Sequence, residues 1–464
     1  IPAFCCIPFK NFAQEMIVLT LLAFICIAFN VLVNGAGEIE LGEVSSIIQK
    51  EVQSYRHSSD SDLCENNNCC TISETEACAL SGLIKDETNL LFPGGETRCI
   101  YSYSTPFSFQ VIPGVSDKVI FYFQGGGACW DELSTKLGFC NTDANPSSLS
   151  GIFDRTNEAN DFKEHTIVQV LYCSGDVHGG NTVRPYNDRD GVPVEQKGLA
   201  NAQSALDWVV KQQAEGNLAA TLSELVVMGC SAGSIGAQFW GKTILSALEW
   251  EKAAVVPDSY AGVFPEGTQG PLIYEYGFCG SGFLSPELTE KCNAKEITLQ
   301  DMDLEFMAAT PNVPYSFIQS KIDDVQQAFY IAIGVTMNAS DALTNPTEFY
   351  EDVNQVFGAY NSKLSNFVTY LVDGPHHCFT NQGLYYDADA MGPHDAGKTN
   401  SGDMLHEWTN YLPLADGEHI DSVCEGDVQQ QPGATTTTTA TTTGPEKNTY
   451  CSADVIPKQY TQQY

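Results

Sequence analysis

The chain has 464 residues, with 58 acidic against 22 basic side chains, a formal net charge of −36 and a sequence pI near 4.3. A field of that sign repels nucleic acid and anionic membranes, which excludes both as partners and leaves a solubilising acidic surface on an exported protein as the plain reading. With 43% hydrophobic and 11% aromatic residues the composition is globular, and the length suits one large domain or two ordinary ones.

In chain order, residues 1–37 are expected to be a secretory signal, with Met16 as a candidate start. The run "MIVLTLLAFICIAFNVLV" is apolar and is followed by the small-residue stretch "NGAGE", so cleavage is expected near Gly35 to Gly37. A signal anchor is the competing reading, since the run approaches bilayer-spanning length. No later stretch is apolar enough to span, so no stable membrane span is expected after cleavage. Of 17 cysteines, Cys5, Cys6 and Cys26 lie in or before this segment, leaving 14. An even number in a secreted chain implies disulfides. No CxxC pair or His/Cys cluster has zinc spacing, which argues against a metal site. Asn338-Ala-Ser340 is a glycosylation sequon, whereas Asn145-Pro-Ser147 is blocked by proline.

Residues 38–90 read as a polar, Cys-containing extension with Cys64, Cys69, Cys70 and Cys78. From 90 to 425 short β-rich runs alternate with helical patterns, which predicts an α/β fold with a mainly parallel central sheet flanked by helices. "FSFQVI" (Phe107 to Ile112) alternates like an edge strand, while "KVIFYFQ" (Lys118 to Gln124) and "TIVQVLYC" (Thr166 to Cys173) read as buried strands. "NAQSALDWVVKQQAE" (Asn201 to Glu215) has helical spacing. "ELVVMGCSAGSIGAQFWGKTIL" reads as strand, sharp turn and helix, and "AAVV", "YSFIQ" and "FVTYLV" supply three further strands. Residues 426–464 are a Thr-rich, low-complexity linker and tail, read as an extended, O-glycosylated stalk with no GPI signal.

Chemistry enters with Gly229-Cys230-Ser231-Ala232-Gly233, a G-x-S-x-G motif in the strand–turn–helix context it requires. Flanking glycines suit a crowded, strained turn that thrusts a serine hydroxyl above the sheet. The alternative is an ordinary glycine turn. A serine nucleophile needs a histidine base oriented by a carboxylate. His376 and His377, on a Gly-Pro loop just beyond "FVTYLV", suit the base better than His394, His406 or His419. Asp323 and Asp324, after "YSFIQ", suit the acid, with Asp258 as competitor. Gly125-Gly126-Gly127 ends the strand two before the nucleophile strand, where backbone amides can serve a tetrahedral oxyanion together with the amide of Ala232. No GK[ST] or GxGxxG follows it, which disfavours a phosphate cradle.

The blocks "PFSFQVIPG…DKVIFYFQGGGACWD", "YCSGDVHGG", "GCSAGS", "VVPDSYAGVF", "KIDDVQQ" and "GPHHCF", in this order, resemble the pectin acetylesterase/Notum family of secreted serine carboxylesterases. The resemblance spans about 90–425. It implies an α/β-hydrolase-like fold, no cofactor, and a triad of Ser231, Asp323 and His377, with Asp324 and His376 still open. It places oxyanion donors at Gly126, Gly127 and Ala232, and pairs Cys129 with Cys140 and Cys279 with Cys292. Ser234 stands where relatives often carry a further glycine, and Gly127 where animal Notum has an aromatic residue.

The activity so implied is ester hydrolysis, with removal of acetyl groups from a polysaccharide first and removal of a fatty acyl group from a protein second. Sparse cations, with Arg155, Arg184 and Arg189 near loops, lower the expectation for acidic pectin itself. A non-catalytic secreted binding protein that keeps the fold is the reading from another class.

Overall fold

The apolar runs form the middle of a ten-stranded sheet. The structure, a computed structural model, describes residues 41–54, 64, 68–339, 346–372, 374–386, 404–415, 418, 420 and 422–424. The expected signal segment, the Thr-rich tail, His394 and His419 lie outside the described residues. The sheet strands are β1 (Cys69–Thr71), β2 (Asn89–Phe92), β3 (Phe109–Ile112), β4 (Val115–Phe123) and β5 (His165–Val170). After a separate β6–β7 hairpin (Thr182–Asn187, Pro193–Gln196) come β8 (Leu222–Cys230), β9 (Trp250–Asp258), β10 (Tyr315–Ser320), β11 (Phe367–Val372) and β12 (Val423–Cys424). Their order is β1-β2-β3-β5-β4-β8-β9-β10-β11-β12. Only β3 runs against its neighbours.

Side chains alternate across the sheet, as a period of two requires. Phe121, Phe123, Val227, Val255 and Phe317 feed one core, and Ile120, Tyr122, Val226, Met228 and Val256 the other. The first core is covered by helices that include α2 (Gly198–Ala214) and α3 (Ala232–Ala247), the second by Phe153, Phe379, Tyr385 and Trp408. A third cluster joins α1 (Leu41–Ser54) to Trp130, Phe139 and the inner face of α4 (Asp324–Met337).

"FSFQVI" is not an edge strand. β3 is fully buried and has antiparallel partners on both sides. Its alternation misleads because Gln110 is satisfied internally: its amide donates to Thr88 Oγ1 and its carbonyl accepts from Ser147 N. The edge beyond it is supplied by β1 and β2, from the Cys-containing segment, and residues from Val44 onward belong to one unit. Disulfides Cys64–Cys69 and Cys70–Cys78 staple that segment. Among the described residues no helix is long and apolar enough to cross a membrane.

Candidate active site

Ser231 stands alone between the end of β8 and the start of α3, at φ 59° and ψ −123°. A non-glycine residue in this region is strained by about 1–3 kcal/mol and persists only where its surroundings enforce it. Both flanking glycines are part of that enforcement. A Cβ on Gly229 would collide with the Gly233 carbonyl, and one on Gly233 with the Phe123 carbonyl. Ser231 N donates to the Asp258 carbonyl at 3.0 Å, tying the turn to β9. The residue is 3% exposed.

Asp323 is the N-cap of α4. Its Oδ1 accepts from Gln326 N at 2.9 Å and its Oδ2 from Gln326 Nε2 at 2.9 Å, so the carboxylate is fixed before it meets a histidine. His377 Nδ1 lies 3.0 Å from Oδ1 and 2.8 Å from Oδ2, which sets the tautomer with the proton on Nδ1 facing Asp323. His377 Nε2 is buried without a hydrogen-bond partner among the described residues, and His377 and Ser231 line one cavity. Burial alone would lower the His377 pKa. The charge and hydrogen bond of Asp323, with lesser help from Glu51 and Asp258, outweigh it and raise the pKa to about 9.

The structure thus pairs Asp323 with His377 and sets His377 and Ser231 on one cavity, while Asp324 and His376 line a polar groove that His377 also borders. Asp258 does not touch the imidazole through a hydrogen bond. Fully buried, it holds the loop that carries His377: its Oδ2 accepts from Phe379 N, Thr380 N and Thr380 Oγ1, and its Oδ1 from Ser259 Oγ. Ser259 Oγ in turn accepts from Cys378 N at 2.9 Å. Burial pushes the Asp258 carboxyl above the usual range. His406 packs against the rings of Tyr385 and Tyr386 in the second core.

The glycine block curls beside Ser231. Gly126 and Gly127 have φ of 138° and 74°, and a Cβ on Gly127 would strike the Phe139 carbonyl. The amides of Gly126, Gly127 and Ala232 have no acceptor among the described residues. Cys129–Cys140 closes the loop behind them, and Cys279–Cys292 is also paired. Four pairings escaped the sequence reading: Cys64–Cys69 and Cys70–Cys78 in the extension, Cys99–Cys173, and Cys230–Cys378, which joins the residue before Ser231 to the residue after His377. Glu51 was missed as well. It sits on α1 with Oε1 3.9 Å from His377 Nε2.

Around Ser231 and His377 opens a narrow cavity whose walls are chiefly Trp130, Ile235, Phe239, Phe278, Phe329 and Ile333. His377 also borders the groove, where Ser147, Ser148, Ser150, Asn381 and Gln382 offer neutral polar groups. No basic patch forms from the three arginines. Arg155 binds backbone carbonyls including that of Ile112, Arg184 is buried against Gln196, and Arg189 covers the ring of Tyr103.

Comparison with protein families matches residues 106–385, more than half of the chain, to the family described as pectinacetylesterase. The chain belongs to the pectinacetylesterase family. As a member it is a carboxylester hydrolase, and the large, mainly parallel sheet flanked by helices expected from its sequence is present. Among solved structures, two crystal forms of the Wnt deacylase Notum from Drosophila are similar, each 17% identical in sequence. Each match covers 64% of this chain and 87% of that one, with TM-scores of 0.44 and 0.43. No curated protein matches the chain in sequence. The disulfides among the described residues fit a protein made for an oxidising, extracellular setting.

Proposed function

We propose that this family member hydrolyses esters through Ser231, His377 and Asp323, and that its cavity receives the acyl group. The observation that supports this best is a histidine held by the buried Asp323 carboxylate and lining the same cavity as a serine at a strained turn. Ser231 Oγ attacks the ester carbonyl as its proton passes to His377 Nε2. Asp323 keeps the other proton on Nδ1 and stabilises the imidazolium that forms. The amides of Gly126, Gly127 and Ala232 receive the oxyanion, where each such donor contributes on the order of 10² to 10³ in rate. The alcohol leaves with the proton from Nε2, and water, deprotonated by the same nitrogen, releases the acid from the acyl-enzyme.

The aromatic and aliphatic walls favour an acyl group with an alkyl chain. Each methylene buried there is worth about 0.8 kcal/mol, so even half of that over six methylenes separates octanoate from acetate by about 2.4 kcal/mol, roughly sixtyfold. The second reading, removal of acetyl groups from a polysaccharide, is favoured by the family match and by the polar groove beside His377, where serine, asparagine and glutamine side chains sit with Lys50, Glu51 and Asp324.

A series of p-nitrophenyl esters from C2 to C16 tests both. Ser231→Ala should abolish hydrolysis throughout with folding intact, and full activity in that variant refutes the assignment. A rise in kcat/KM toward C8 supports the acyl-chain reading. A maximum at acetate, with release of acetate from acetylated glycans, supports the second.

A further inference from the structure

Helix α1 lies outside the stretch matched by the family, yet it reaches the reacting groups. Val44, Ile48 and Val52, spaced four apart, are buried in the third cluster with Trp130, Phe139, Val325 and Phe329, and Gln49 Nε2 donates to the Leu137 carbonyl at 2.9 Å. Val52 packs against Gly127, where an added Cβ would meet its methyl at 3.0 Å. The helix is therefore clamped at the glycine block, and the residue before Val52 is delivered to the imidazole. Glu51 is 12% exposed in its side chain and sets Oε1 3.9 Å from Nε2, while Asp323 holds Nδ1 on the other edge of the ring.

We propose that Glu51 is a positioning residue that acts through His377: its carboxylate beside Nε2 sets the pH at which that imidazole becomes a base. The inference rests on the reading of Ser231 and His377 above. A negative charge at this distance favours the imidazolium in the free enzyme, which holds the base protonated to higher pH. The same charge favours the imidazolium formed when the Ser231 proton moves to Nε2, which strengthens the base once it is free. The other charged or titratable groups around the ring are Asp323 at the start of α4 and Asp258 beneath the loop, with Lys50, Asp324 and His376 lining the groove. Of these, only Glu51 is placed by its distance at the nitrogen that accepts the proton.

The test is the pH profile of kcat/KM for a p-nitrophenyl ester in the wild type and in Glu51→Gln. Unscreened, a partly buried carboxylate at this separation shifts its neighbour by more than one pH unit; solvent reaching Glu51 reduces that to about one unit. The acid limb should therefore move down by about one pH unit and the alkaline plateau fall severalfold, so that the two profiles cross. A limb in its original place with rates scaled uniformly overturns the proposal. Should Glu51→Gln fold poorly, Glu51→Asp, which withdraws the charge by one methylene, should give an intermediate limb, and an unmoved limb there is equally contrary. The downfield proton NMR signal of His377 Nδ1–H, titrated in Ser231→Ala with and without Glu51→Gln, reads the same shift without turnover. An inactive wild type would remove the esterase reading while this titration still decides the role of Glu51.

Discussion

Replacing Asp258 by alanine separates a scaffold from a reacting group. The carboxylate is fully buried and accepts from two backbone amides, Phe379 N at 2.9 Å and Thr380 N at 2.8 Å, and from the Thr380 hydroxyl at 2.8 Å. Alanine strands both amides in the core. At about 1–3 kcal/mol for each unmet buried donor the cost is about 2–6 kcal/mol. Removing a desolvated charge returns part of this, since burial already disfavours the ionised form. A loss of about 3 kcal/mol is the expectation, read by urea unfolding. Slack in Cys378–Thr380 also frees the neighbouring His377, so kcat should fall at least tenfold. Asp258→Asn, which keeps one acceptor oxygen, should be milder on both counts. Unchanged stability and kcat in the alanine variant would refute the scaffold role. A collapse of kcat by 10⁴ in Asp258→Asn, with Asp323→Asn active, would make Asp258 the acid instead.

Asp323→Asn should lower kcat by about 10³ to 10⁴ with KM little changed, because the wrong imidazole tautomer is then favoured; steady-state kinetics on a folded variant checks it. Gly233→Ala drives a methyl into the Phe123 backbone rather than into a side chain that could turn away, so a loss of about 3 kcal/mol or outright failure to fold is expected in denaturant unfolding. Ile235→Trp, on the cavity-facing side of α3, should lower kcat/KM for C8 esters tenfold or more while sparing acetate. Equal losses at both lengths would put the acyl chain elsewhere.

Much of this arrangement was legible in the residues. The parallel sheet followed from continuous apolar runs such as "KVIFYFQ", since strands covered on both faces have no polar side to display. The turn at Ser231 followed from its two glycines. What the sequence concealed was long-range. Whether Asp323 or Asp324 meets a histidine depends on one step of helix phase at the N-cap of α4, which neither residue type reveals. Asp258 was read only as a rival acid because its partners are amides of Phe379 and Thr380, and amides leave no mark on sequence. Glu51 lay in a segment that looked merely polar, and its α1 context has meaning only against Trp130 and Phe329. One signal was available and went unused. Cys230 precedes Ser231 and Cys378 follows His377; if serine and histidine must meet, their neighbouring cysteines must meet too, and they do.

The most direct measurement is covalent labelling. The purified protein treated with a fluorophosphonate probe, digested and read by mass spectrometry, should carry the phosphonyl group on Ser231 alone, at a rate that rises as His377 loses its proton and collapses in His377→Ala. Labelling at another residue, or at Ser231 with the same rate when His377 is gone, would contradict the account.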